Sequence, residues 1–130
     1  MALNERVKYW IDLAEYDIDT ANAMLETKRF LYVGFMCHQS IEKVIKAVLS
    51  SQNEEIPPKI HNLIRLAELS GLLNQMSDKQ KKTLFLLNPL NIESRYPSYK
   101  DNLLSQLTDE KCKQILENTK ELLLWIKTQL

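Results

Sequence analysis

The stretch from Cys37 to Leu49, C-H-Q-S-I-E-K-V-I-K-A-V-L, admits few folds. Ile41, Val44, Ile45 and Val48 recur at three- and four-residue steps and make one apolar helix face. His38, Glu42 and Lys46 recur at four-residue steps and form a polar line beside it. At helical pitch His38 lies only ~20° from Leu49 around the axis, so the polar line borders the apolar face. Glu42 precedes Lys46 by four, the favourable order for an intrahelical ion pair. Such a helix packs in a bundle, and its polar row has two readings. Either the row is a solvated edge with His38 a satisfied boundary residue, or it presents chemistry to a groove.

The rest of the chain is organised around this helix. Val7, Trp10, Ile11, Ala14, Ile18, Ala21 and Leu25 keep helical period, and Asn4 offers a cap, so a first long helix is expected from about 4 to 26. A charged break, Thr27 to Phe30, separates it from the central helix, expected from about 31 to 51, where Gly34 would permit a close helix–helix approach. Ser51 to Lys59 reads as a linker ending in Pro57-Pro58. Ile60 to Ala67, followed by Gly71, reads as a short third helix with a glycine stop. Ser77 and Gln80 form a capping-box pattern for a fourth, which Pro89 ends near Leu87. Leu90 to Gln106 has no sustained period. Thr108 with Asp109 and Glu110 starts a last helix reaching about 129. With only 2 glycines and 4 prolines, the chain lacks the turn residues of a β-rich fold. The expected fold is therefore all-α, an antiparallel up-down bundle of four or five helices forming one domain over residues 1–130.

Composition excludes several function classes. The 17 basic and 17 acidic residues cancel, so no global field recruits nucleic acid and any such contact needs a local patch. Met1 to Arg6 leads into a charged amphipathic stretch and not an apolar leader, and no apolar run has the length of a membrane span. The expectation is a soluble cytoplasmic protein with no cofactor and no metal. Cys37 and Cys112 sit in helical patterns without zinc spacing and read as small core residues. His61, at the start of the third helix, reads as a cap.

One loop stands out. Arg95, Tyr96, Pro97, Tyr99 and Lys100 lie close together between helices. Arginine offers a planar fork for phosphate or carboxylate, and tyrosine rings stack on bases. The competing reading ties Arg95 to an acid such as Asp17 or Glu42 and uses the tyrosines to fill the bundle end.

The chain resembles the HEPN domain family. Its first helix, with Ala14, Asp17, Ile18 and Ala21, is similar to the family's A-x-x-D-[LI]-x-x-A pattern, and His38 to Ala47 resembles its H/Q-x-x-x-E-K-x-x-K-A pattern. Ile60-His61-Asn62-Leu63 and Arg95-Tyr96-Pro97 resemble its H-[DN]-L and R-Y-P elements. The resemblance implies a homodimeric helical bundle of the kind encoded beside a minimal nucleotidyltransferase in toxin–antitoxin-like pairs. Many members are endoribonucleases with an Arg-x(4–6)-His motif after the fourth helix. Here Arg95 is followed by Y-P-S-Y-K, with no histidine after His61. Two function classes follow. The first is a binding module in which Arg95, Tyr96, Tyr99, Lys100, His38, Glu42 and Lys46 hold a nucleotide, an RNA phosphate or a partner's loop. The second is a metal-independent ribonuclease with Arg95 and His38 as the catalytic pair. The expected geometry places Arg95 over the polar line of the central helix.

Overall fold

A computed structural model describes residues 3–91 and 105–130. The described residues include the helices α1 (Leu3–Glu26), α2 (Phe30–Gln52), α3 (Leu63–Ser70), α4 (Asp78–Leu87) and α5 (Asp109–Lys127). Short 3₁₀ turns at Leu73–Gln75 and Asn88–Asn91 follow α3 and α4. Among the described residues there is no strand, and no helix is long and apolar enough to cross a membrane. The fold is all-α, as the periodicities require.

α2 is the centre of the core. Ile41, Val44, Ile45 and Val48 are all buried, and α1, α3, α4 and α5 each pack against this helix. α1 lies along it through the small residues Ala14 and Ala21 and through Ile18. Small side chains bring the two backbones close enough for Ser40 Oγ to donate to the Ala14 carbonyl at 2.8 Å. Leu63, Leu66 and Ala67 of α3, Leu84 and Leu87 of α4, and Ile115, Leu116, Leu122 and Ile126 of α5 complete the same core.

Local chemistry sets the helix ends. Asn62 caps α3, its side-chain oxygen accepting from the backbone N–H groups of Ile64 and Arg65, and Gly71 ends that helix at φ 81°. Ser77 and Gln80 form the expected capping box of α4, and Thr108 caps α5. Three sequence expectations need correction. α1 begins at Leu3, so Asn4 lies inside it and is not its cap. Asn62, not His61, caps α3, because the cap oxygen must reach the N–H groups two and three residues on. Gly34 makes its close approach to a turn and not to a helix: a Cβ there would stand 2.9 Å from Leu90 Cδ1 of the 3₁₀ turn.

Candidate functional site

His38, Glu42 and Lys46 stand one above another on α2, each four residues from the next. Three further elements close over them. The segment leading into α3 brings His61, the end of α4 brings the Leu87 carbonyl, and α1 brings Trp10. His38 is 0%, Glu42 3% and Lys46 6% exposed. The row is therefore no solvated edge. A charge row bordering the apolar face faces water only if no neighbour covers it, and here neighbours distant in sequence do.

Glu42 is the hub. Its Oε2 accepts from Lys46 Nζ at 3.0 Å, and its Oε1 accepts from His61 Nδ1 at 3.0 Å. His38 Nε2 faces the same Oε1 at 3.4 Å. The other nitrogen of that ring, Nδ1, lies 3.0 Å from the Leu87 carbonyl. A carbonyl only accepts, so Nδ1 carries hydrogen and donates. It thereby satisfies one of the carbonyls that the end of α4 leaves without an intrahelical partner. Lys46 Nζ also sits over the Trp10 ring, 5.6 Å from its centroid. Burial alone would raise the Glu42 carboxyl, but His38, Lys46 and His61 outweigh it and hold the group down at about 2. The cluster is thus a buried carboxylate with cationic or N–H groups converging on it. One member, His61, keeps a side chain 62% exposed.

A second pair lies on the neighbouring flank of α2. Lys43 bridges to the buried Asp17 of α1. Both acids considered as partners for Arg95, Asp17 and Glu42, are therefore engaged by lysines of α2.

Of the candidate site residues, the structure brings His38, Glu42 and Lys46 together. Arg95, Tyr96, Tyr99 and Lys100, with the expected placement of Arg95 over this row, lie outside the described residues. His61 and Trp10 belong to the cluster and were not expected there. The signal for His61 was its place in I-H-N-L, beside an asparagine better suited to capping. Nothing local in the sequence pairs Trp10 with Lys46. Among the described residues no group of histidine, cysteine and carboxylate side chains is arranged to hold a metal ion. Cys37 and Cys112 are buried free thiols, pushed up by burial to about 12 and about 11.

The family model for the HEPN domain matches residues 7–129. The fold is similar to the crystal structure of TT1696 from Thermus thermophilus, with a TM-score of 0.76 and 14% identity over 96% of this chain and 98% of that one. It is also similar to ST0689, an archaeal HEPN homologue, with a TM-score of 0.71 and 23% identity over 95% and 97% of the two chains. No curated protein matches the sequence.

Proposed function

Because this chain belongs to the HEPN domain family, we propose that it is a phosphate-binding and partner-binding module. In this reading it is the homodimeric HEPN half of a toxin–antitoxin-like pair with a minimal nucleotidyltransferase, and its ligand is a nucleotide or an RNA phosphate. The observation that carries the reading is the Glu42 hub. A buried carboxylate holds Lys46 and the exposed His61 within 3.0 Å of its oxygens. An arriving phosphate would compete with Glu42 for those N–H donors. Arg95 would add the planar fork, with Tyr96, Tyr99 and Lys100 beside it. His38 supports the site from behind, since it has no exposed surface and its Nδ1 is committed to the Leu87 carbonyl.

A second reading, a metal-independent ribonuclease, is favoured by one specific feature. Glu42 accepts from His61 Nδ1, which fixes the tautomer and leaves Nε2 on an exposed ring as an acceptor. That is the arrangement of a general base oriented by a carboxylate. It replaces His38 as the proton acceptor, because a base must reach the proton it takes and His38 is enclosed.

One pair of variants tests both. Binding of a nucleoside triphosphate and of a short single-stranded RNA would be followed by fluorescence anisotropy, and RNA cleavage by gel. Arg95→Ala should weaken binding about tenfold or more, in line with the loss of a charge-assisted pair. His61→Ala separates the readings. Weakened binding with no cleavage by either protein fits the module, whereas retained binding with lost cleavage fits the nuclease. Unchanged binding in both variants would remove the site.

A further inference from the structure

The Glu42 cluster leaves another part of the bundle unused, where α4 and α5 run side by side. Between them lies a cavity of about 340 Å³. Leu86, Leu87 and Ile115 form its floor, and Lys79, Lys82 and Lys111 stand at its rim. Lys79 is neutralised by Glu121 at 3.1 Å. Among the described residues Lys82 and Lys111 have no ion-pair partner, in contrast to Lys113, which pairs with Asp109 at 3.0 Å. One unpaired cation thus comes from each helix, over an apolar floor, in a chain whose total charge is zero. Leu86 keeps 39% of its surface exposed there, and its neighbour Phe85 keeps 48%.

We propose that this groove binds a single small molecule with an anionic head and an apolar body, such as an aryl or medium-chain carboxylate or sulfonate. The volume is that of a small-ligand site, and the lining sets the apolar Leu86, Leu87 and Ile115 beside the lysines and the hydrogen-bonding groups of Thr83, Gln114 and Asn118. Two cations complement one anionic head. They do not form the track of charge that a polyanion such as RNA needs. The body desolvates Leu86 and Ile115, and the head spans Lys82 and Lys111. The groove shares only Leu87 with the Glu42 cluster, through the carbonyl that meets His38.

Three probes test this on the full chain: anilinonaphthalene sulfonate, its uncharged analogue phenylnaphthylamine, and inorganic phosphate. The sulfonate dye should bind saturably with one site per chain, and at least tenfold tighter than either half-probe. Lys82→Glu with Lys111→Glu should weaken it by more than tenfold, and raised salt should weaken it in the unmodified protein. The double Met variant, Lys82→Met with Lys111→Met, repeats the test without charge repulsion. Lys113→Glu should bind as the unmodified protein does. Equal affinity for the uncharged analogue would reduce the groove to an apolar patch, and equal affinity for phosphate would reduce it to a cationic one. Either result, or an unweakened Met variant, overturns the proposal.

Discussion

A histidine with no exposed surface and one nitrogen bonded to a helix-end carbonyl behaves as structure, whatever its neighbours. His38 ties α2 to the end of α4 and turns its second nitrogen to Glu42. Glu42 is the residue whose ionisation the fold depends on. Its carboxyl is held at about 2 against an ordinary 4.5. The sign follows from the lowered value: the carboxylate stabilises the folded chain fully above about 4.5, and that contribution is lost as pH falls towards 2. The shift corresponds to about 3 kcal/mol. Glu42→Gln should therefore lower unfolding free energy by about that amount at neutral pH, because Lys46 is left buried without its counter-charge. It should also flatten the stability profile between pH 4.5 and 2. Urea titrations across that range would check it, and an unchanged acid limb in the variant would refute it. The spacing of His38, Glu42 and Lys46 was legible in the sequence because four-residue steps define a line on a helix. Their burial was not, because the covering groups are 19 and 49 residues away from the positions they meet.

At the scale of elements, the helices were legible where a cap and a period agree. The S-x-x-Q pattern of α4 and the T-D-E start of α5 were both found in place, since capping is settled within four residues. α1 differs from expectation by one residue at its start and α2 by one residue at each end, while their turn hides a cost that no pattern announces. Lys28 sits at φ 60° between them, in the left-handed region that side chains with a Cβ adopt unwillingly. Two substitutions at helix ends should therefore move stability in opposite directions. Lys28→Gly removes the steric cost at an exposed position and should raise the unfolding free energy by about 1 kcal/mol. Ser77→Ala removes the side-chain acceptor of the α4 capping box and should lower it by about 1 kcal/mol. Thermal melts of the two variants would resolve these shifts, and a destabilised Lys28→Gly would show that the turn depends on the lysine side chain itself.

At the scale of the molecule, Cys37 and Cys112 report on the whole core. Each has 0% exposure, one on α2 and one on α5, and both belong to the same buried cluster. Their thiols are pushed up to about 12 and about 11 by burial, so at pH 8 almost no reactive thiolate exists in the folded chain. Labelling by a disulfide reagent must then wait for opening. Because α2 is central, exposing Cys37 requires α1, α3 or α5 to leave it, which removes most of the core at once. The two cysteines should therefore label at one common rate under native conditions, and the rate should rise steeply with urea as global unfolding does. The same measurement reaches the proposed homodimer. If two copies associate through their folded state, opening is suppressed by mass action, and labelling should slow as protein concentration rises through the micromolar range. Sedimentation over that range would show the dimer directly. Concentration-independent labelling together with monomeric sedimentation would rule out the assembly while leaving the single-chain core intact. Faster labelling of Cys112 than of Cys37 would instead show that the start of α5 frays before the rest of the bundle opens.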